Sequence, residues 1–260
     1  MAMRLIDGVR SVFFNIMFFG FTILYLGLIV APSSFINKKL FHVLLHGYCV
    51  GSLQIGRWVM GIKYEYRGTE NLPATGALII VCTHQSNMDS LLVYPRRNDV
   101  TALVKKELMS VPFVGTVLKA MNCIPIDRKS AKAHKGMDAV TDKVIAAQAP
   151  LLIFPQATRV LIGDTKRLKP GAFYMQETSD LTVIPIATNT GLFWRKGFFH
   201  RSGTAVYEIG EPIAKGLDKK AFMDKVHHHV VDRSHALIRD AGYGDELPSR
   251  EAVRKAARAK

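Results

Sequence analysis

Residues 77–89, ALIIVCTHQSNMD, join an unbroken apolar run to a polar turn that carries His84 and Asp89. The apolar run predicts a strand buried on both faces, and Ser86 or Asn87 can cap a helix whose first turn holds Asp89. On one continuous helix, His84 and Asp89 would not share a face, but a turn between them can bring them together. Asp89 would then accept the imidazole Nδ1–H and leave Nε2 free as a base. The alternative is a purely structural role, in which His84 caps the end of the strand and Asp89 stabilises the first turn of its helix.

Strand and helix patterns alternate on both sides of this stretch. Short β-rich runs predict strands at residues 63–66, 77–82, 101–104, 123–126, 151–154, 182–187 and 205–209. Helical patterns cover residues 88–94, 112–120, 131–147, 171–177 and 219–240. The alternation predicts an α/β fold with a mixed, largely parallel sheet covered by helices.

The N-terminal region predicts a membrane anchor. Residues 12–31, VFFNIMFFGFTILYLGLIVA, are apolar enough and long enough to match a bilayer core of about 30 Å. The stretch exceeds the usual signal-peptide core, and Pro32 follows the one plausible cleavage residue, so an uncleaved anchor is favoured. Residues 40–62 are interrupted by polar side chains and predict an interfacial helix. We therefore expect a membrane-associated helical hairpin at 1–62, a catalytic domain at 63–240 and a basic tail at 241–260; a single span is the alternative to the hairpin.

The net charge and the cysteine pattern limit the classes of partner that the chain is expected to bind. Lys and Arg total 35 against 21 Asp and Glu, a formal net charge of +14, which favours an anionic partner such as lipid head groups, nucleic acid or an acidic carrier protein. No stacking-aromatic or helix-turn-helix pattern supports nucleic acid, so that partner is not expected. The three cysteines lack C-x-x-C spacing, and adjacent His227, His228 and His229 point in different directions on a helix. We expect a reducing compartment and no metal.

Other predicted strands also end in polar or basic side chains. Arg128 follows the strand at 123–126, and Lys105 follows the strand at 101–104. Gln156, Thr158 and Arg159 follow the strand at 151–154. Ligands of open α/β sheets bind at the carboxyl ends of the strands, so these side chains predict a binding site beside His84.

Taken in order, these segments resemble the glycerolipid acyltransferase family over residues 64–212. The family's His-x4-Asp block corresponds to His84–Asp89, and its second block to Ile126-Asp127-Arg128. Its Phe-Pro-Glu-Gly-Thr-Arg block reads FPQATR at 154–159, and its Val-Ile-Pro block stands at 183–185. Two residues depart from the pattern: Gln156 replaces the usual Glu and Ala157 the usual Gly. Ala157 is costly if its turn requires a positive φ.

The resemblance implies transfer of a fatty acyl group from acyl-CoA or acyl carrier protein to the sn-2 hydroxyl of 1-acylglycerol-3-phosphate (lysophosphatidic acid). In this reaction His84 is the general base and Asp89 orients it. The acceptor is then held by Arg128, Arg159, Thr158, Gln156 and Lys105.

No cofactor is implied beyond the acyl donor. The N-terminal hairpin is similar to the membrane-docking element of such enzymes, which implies an inner-membrane location with the catalytic domain facing the cytoplasm. Two alternatives stay open: an acyltransferase acting on another lysolipid, such as lyso-ornithine lipid, and a non-catalytic, membrane-anchored basic binding protein.

Overall fold

The computed structural model describes residues 5–126, 137–164 and 166–247. Arg128, the first part of the helix expected at 131–147 and the basic tail from residue 248 onward lie outside these ranges. Predictions that concern them therefore stay predictions.

Within the described residues, seven strands form one sheet in the order β1-β7-β6-β2-β5-β3-β4. Strands β6, β2, β5, β3 and β4 run parallel to one another, whereas β7 is antiparallel to β6 and parallel to β1. The prediction of a mixed, largely parallel sheet is thus confirmed. The strands are β1 Ile62–Arg67, β2 Leu78–Cys82, β3 Thr101–Lys105, β4 Ile124–Ile126, β5 Pro150–Ile153, β6 Thr182–Thr188 and β7 Gly203–Ile209.

Strand β2 lies between β5 and β6 and is buried along its whole length. Ile80 is paired with Leu152 on one side and with Ile184 on the other. Because side chains alternate across a strand, Leu78, Ile80 and Cys82 pack in one apolar cluster, whereas Ile79 and Val81 pack in a second cluster on the opposite face. The unbroken apolar run is required because both faces are covered.

Eight α-helices in the described residues cover the sheet. Helix α1 spans Leu5–Ser33, with a wider π-helical pitch over Thr22–Val30, and α2 spans Lys38–Ile55 and continues as a π turn over Gly56–Met60. The others are α3 Met88–Val93, α4 Val114–Ala120, α5 Met137–Ala147, α6 Gly171–Glu177, α7 Lys219–Val226 and α8 Arg233–Asp240. A π turn over His227–Asp232 joins α7 to α8, so the helix predicted at 219–240 is continuous but changes pitch. Short 3₁₀ turns occur at Thr69–Asn71, Lys106–Ser110, Thr190–Leu192 and Gly244–Glu246.

Helices α1 and α2 form an N-terminal hairpin that packs on one face of the sheet. Asn37 caps α2 by accepting hydrogen bonds from the backbone N–H groups of Lys39 and Leu40. The inner side of α1 buries Phe14 and Phe18, whose rings meet Trp194 edge-on with centroids 4.8 and 4.7 Å away. The outer side exposes apolar side chains along its length, among them Ile6, Val9, Phe13, Ile16, Met17, Ile23, Leu24 and Leu28.

By length and composition, α1 could cross a membrane. The segment predicted at 12–31 falls within α1. The helix predicted at 40–62 is two residues too long, because α2 and its π turn end at Met60, Gly61 has a left-handed conformation and Ile62 begins β1. Helix α1 differs from a core helix because so much of its apolar surface faces outward.

Candidate active site

His84 stands just beyond the carboxyl end of β2, and Asp89 lies in the first turn of α3. The turn between them brings His84 Nδ1 to 3.0 Å from Asp89 Oδ2, the geometry expected from their spacing. The same oxygen accepts hydrogen bonds from the backbone N–H groups of Gln85 at 2.7 Å and Ser86 at 2.8 Å. Asp89 is completely buried, so its carboxylate position is fixed by these donors.

The second carboxylate oxygen of Asp89 accepts a hydrogen bond from the hydroxyl of Thr190. Thr190 is itself fully buried and follows β6, the strand beside β2. Its hydroxyl therefore reaches the pair from the opposite side of the turn. With both oxygens engaged, the carboxylate cannot rotate away from the imidazole without breaking hydrogen bonds.

The His84 ring is fixed on its face as well as at Nδ1. It stacks on Phe154, with ring centroids 4.0 Å apart and planes inclined by 17°. Its side chain keeps 20% of its surface exposed, and in the described parts of the chain Nε2 has no hydrogen-bond partner. Because Nδ1 donates to Asp89, Nε2 is the basic nitrogen and faces the open side of the site.

Gln156 supports the backbone of the same turn. Its Oε1 accepts a hydrogen bond from the His84 N–H at 3.4 Å, and its Nε2 donates to the Thr83 hydroxyl at 2.8 Å. The residue is only 3% exposed. Both ends of the side-chain amide thus bind protein groups, so Gln156 contributes to the site through the His84 turn.

Ala157 adopts a positive φ of 56° in the turn after β5. Its N–H donates to the Phe154 carbonyl at 2.9 Å, which closes the turn. An alanine in this left-handed conformation costs about 1–2 kcal/mol, whereas glycine adopts it freely. The chain accepts this cost at the position where the family pattern has glycine.

Arg159 lies beside the His84 turn. Its Nη1 donates to the Asn87 side-chain oxygen at 2.9 Å, which ties the segment after β5 to the segment after β2. Thr158 precedes it and is half-buried. The structure therefore brings Arg159 and Thr158 to the same sheet edge as the His84–Asp89 pair.

Lys105 is the last residue of β3, so it also lies at the carboxyl ends of the strands, but on a strand farther from β2. It forms an ion pair with Glu107 at 3.2 Å and is half exposed. Because β5 lies between β2 and β3, two strand spacings of about 4.8 Å each separate Lys105 from the His84 strand. The remaining predicted binding residue, Arg128, falls outside the described residues.

Thr190, Asn87 and Phe154 were not singled out as site residues from the sequence. Polar residues do stand at the carboxyl end of β6, in Thr188-Asn189-Thr190. The rule that ligands bind at the carboxyl ends of strands could have drawn attention to them. Only Thr190 of these three contacts Asp89; Asn189 instead accepts a hydrogen bond from the Val206 N–H at 2.8 Å. The alternation along the strand does not continue into a 3₁₀ turn, so the sequence pattern could not distinguish them.

Metal ligation has no candidate cluster in the described part of the chain, where no three His, Cys, Asp or Glu side chains converge. His227 and His228 instead lie 3.4 and 3.8 Å from the Asp232 carboxylate, on an exposed surface.

Comparisons with known proteins identify the family of the chain. Residues 63–189 match the Acyltransferase family, a range that includes His84, Asp89 and Arg159. The 1-acyl-sn-glycerol-3-phosphate acyltransferase of Pseudomonas aeruginosa is 29% identical over 227 residues, covering 85% of this chain and 88% of that protein. The enzyme of the same name from Borreliella burgdorferi is 30% identical over 190 residues, covering 72% and 73%.

A solved structure shows the same fold. The 1-acyl-sn-glycerophosphate (LPA) acyltransferase from Thermotoga maritima superposes with a TM-score of 0.72 at 18% identity, over 89% of this chain and 97% of that one. The chain belongs to the glycerolipid acyltransferase family, the family of these 1-acyl-sn-glycerol-3-phosphate acyltransferases. The resemblance found in the sequence blocks is confirmed.

Proposed function

We propose that this enzyme transfers a fatty acyl group from a thioester to the sn-2 hydroxyl of 1-acylglycerol-3-phosphate and so forms phosphatidic acid. The observation that carries the proposal is the buried Asp89 bound to His84 Nδ1, which leaves Nε2 free, together with Arg159 held by Asn87 after the neighbouring strand. The relatives named above supply the substrate class.

In the proposed reaction, His84 Nε2 removes the proton of the acceptor hydroxyl as its oxygen attacks the thioester carbonyl. The resulting tetrahedral intermediate collapses to the ester, the carbon–sulfur bond breaks, and the imidazolium returns its proton to the thiolate. Asp89 stabilises the imidazolium and fixes the tautomer with Nε2 unprotonated before each cycle. A positioned base of this kind contributes about 10²–10⁴-fold to the rate.

The acceptor phosphate is assigned to the basic side of the same edge. Arg159 carries a guanidinium suited to paired hydrogen bonds with phosphate oxygens, and Asn87 holds it in place. Thr158 adds a hydroxyl, and Arg128 is the second arginine expected there. The distance of Lys105 along the sheet and its ion pair with Glu107 favour a contact at the outer rim of the site.

Access to a lipid acceptor follows from the hairpin. The outward apolar side of α1, with Trp58 79% exposed near the end of α2, supports docking on a bilayer. We place the protein on the inner membrane with the catalytic domain facing the cytoplasm, where acyl-CoA and acyl carrier protein are both present. The three free, buried cysteines fit that reducing compartment.

The proposal is tested by thioester release with detergent-purified protein. Each donor, acyl-CoA and acyl carrier protein, is offered with lysophosphatidic acid, lysophosphatidylcholine and lyso-ornithine lipid, and the lipid product is analysed by mass spectrometry. Phosphatidic acid as the main product supports the proposal. Turnover with lyso-ornithine lipid alone would reassign the acceptor, and no acyl transfer to any of the three lipids would favour the non-catalytic alternative.

A further inference from the structure

A cavity lies at the amino ends of the strands, on the opposite side of the sheet from the strand ends that carry His84. Its volume is about 1110 Å³, and it opens at the amino ends of β3, β4 and β5, beside Thr101, Ile124 and Ala149. The five residues of β3 span about 16 Å, which gives the scale of its separation from the carboxyl edge. Neither His84 nor Asp89 lines it, so the proposed reaction does not account for this cavity.

Four lysines from three helices converge on the cavity: Lys38 and Lys39 of α2, Lys119 of α4 and Lys143 of α5. Across the described ranges, lysine ion pairs are formed by Lys105, Lys215 and Lys220, and by none of these four. Like charges around one cavity repel one another, and an anion bound between them relieves that repulsion.

The described lining contains one carboxylate, that of Asp99, and Arg97 already neutralises it. Arg97 Nε and Nη2 donate to its two oxygens, each at 2.8 Å. Asp99 therefore does not offset the four lysines, and the positive charge of the cavity remains available to a ligand.

The start of α2 adds to this charge. Lys38 and Lys39 occupy the first turn of an 18-residue helix, which contains no acidic residue. Basic side chains are unfavourable there because the helix dipole is positive at its N-terminus. An anion bound between Lys38 and Lys39 would offset the unfavourable interaction of these lysines with the helix dipole.

One part of the lining is apolar and suited to hydrocarbon, which a free inorganic ion would not use, whereas His42, His46, Asn98, Thr101 and Asn122 are polar. The apolar part includes Val43, Met121, Ile124, Pro125 and Val144. Just before Lys38, the tip of the hairpin exposes Phe35 by 82% and Ile36 by 75%. The charged cavity therefore borders the apolar surface that we propose docks on the membrane.

We propose that this cavity binds an anionic phospholipid of the membrane, with the phosphate between the lysines and the glycerol and upper acyl chains against the apolar wall. This site is separate from the acceptor site beside Arg159. It rests on the proposed membrane docking and is independent of the chemistry at His84. Its consequence is a preference of the enzyme for anionic bilayers that does not depend on turnover.

The test uses the full chain in neutral detergent and water-soluble short-chain lipids, with binding measured by calorimetry. We expect saturable binding of dihexanoylphosphatidylglycerol and no comparable binding of dihexanoylphosphatidylcholine. K119Q/K143Q should weaken phosphatidylglycerol binding at least tenfold, because each lost charge-assisted hydrogen bond is worth about that factor. K215Q/K220Q, which removes the same charge elsewhere, and R159A, which alters the acceptor site, should bind it within about twofold of wild type. Because the readout is binding, its failure is distinguishable from loss of acyl transfer.

Three results would overturn the proposal. In the first, wild type binds both lipids equally; in the second, a folded K119Q/K143Q, checked by circular dichroism, binds phosphatidylglycerol like wild type. If K119Q/K143Q does not fold, K38Q/K39Q takes its place and must weaken phosphatidylglycerol binding at least tenfold. In the third, coenzyme A binds in a manner that K119Q/K143Q abolishes, while the lipid does not bind. That outcome would assign the cavity to the nucleotide part of the acyl donor.

Discussion

Asp89 is the residue on which most hydrogen bonds of the site converge. Two backbone N–H groups, the His84 ring and the Thr190 hydroxyl all donate to its carboxylate, which has no exposure to solvent. Such a fully satisfied buried group is held in one orientation, and the imidazole is held with it. The positions of His84 and Asp89 are what this site must fix, because the proposed reaction requires only that one proton move to His84 Nε2 and return.

Thr190 should act as a positioning residue for this pair. Thr190→Val keeps the shape of the side chain but leaves a carboxylate oxygen of Asp89 without its donor, at a cost of about 1.5–3 kcal/mol. We expect kcat to fall about 10–100-fold with little change in acceptor KM, and Thr190→Ser to restore most of it. Steady-state kinetics on both folded variants check this. Wild-type kcat in Thr190→Val would show that the hydroxyl has no part in aligning the pair.

Gln156 provides a second residue-scale prediction. Gln156→Glu keeps an oxygen for the His84 N–H, and the Thr83 hydroxyl can donate to the new carboxylate, so transfer should persist within about tenfold. Gln156→Leu leaves both partners unsatisfied and should reduce kcat by about tenfold or more. Comparing kcat of the two variants separates a polar support from a proton carrier. An inactive wild type that Gln156→Glu restores about a thousandfold, the upper part of the general acid–base range, would contradict this view.

Much of the pair could be predicted from sequence because His84 and Asp89 are close in the chain and a single turn relates them. Thr190 could not, since it reaches Asp89 across a separation of 101 residues that depends on β6 lying beside β2. The resemblance assigned Gln156 to the acceptor, whereas in the structure its amide binds the His84 N–H and the Thr83 hydroxyl. The orientation of its amide depends on Thr83, a contact across 73 residues.

At the scale of elements, the strands were predictable and their neighbours were not. Apolar runs such as β2 identify buried strands, and all seven predicted strands occur. The order of strands in the sheet and the reversed direction of β7 come from packing between distant segments, which periodicity does not record. The π-helical pitch over Thr22–Val30 likewise has no signal in the apolar pattern.

His200 joins the N-terminal hairpin to the segment after β6 and should make stability depend on pH. Its ring packs against Phe14 and Trp194, and its backbone N–H donates to the Ser11 hydroxyl. Within the described residues, its ring nitrogen Nδ1 has no hydrogen-bond partner. Burial, assisted by Arg195, lowers the pKa of His200 from 6.5 to about 4. The unfolded chain therefore takes up a proton below pH 6.5 that the folded chain refuses until about pH 4.

The contribution of His200 is present above pH 6.5 and is lost as the pH falls towards 4. Between pH 7.5 and pH 5 it amounts to about 2 kcal/mol of unfolding free energy. Denaturant unfolding at the two pH values should show that His200→Leu reduces the difference by about that amount, whereas the exposed control His228→Leu does not. An unchanged difference in His200→Leu would exclude His200 as the titrating group.

At the scale of the whole molecule, the α/β domain and the hairpin place one apolar surface outward. Helix α1 exposes apolar side chains that a soluble domain would bury, and this surface favours contact with a bilayer. The net positive charge of the chain additionally favours a bilayer that contains anionic lipids. The apolar contribution does not depend on salt, unlike the electrostatic one.

The wild-type protein should therefore stay with membranes through washes with high salt and alkaline carbonate. Ile16→Glu/Leu24→Glu, at two positions of α1 exposed by 66% and 61%, should release it because each carboxylate opposes insertion of that face. Lys220→Glu, on α7, is the matched control and should remain bound. Fractionation followed by immunoblotting measures this, and release of wild type by salt alone would mean that charge holds the protein on the bilayer.

Thioester release and phosphatidic acid formation in His84→Ala test whether His84 is the base of an acyl transfer to lysophosphatidic acid. We expect His84→Ala to lose nearly all turnover, by about 10²–10⁴-fold, while still folding. Asp89→Asn should fold and keep a small residual activity. Folding is verified by circular dichroism and by unchanged membrane retention. Wild-type rates of phosphatidic acid formation in folded His84→Ala would contradict the account.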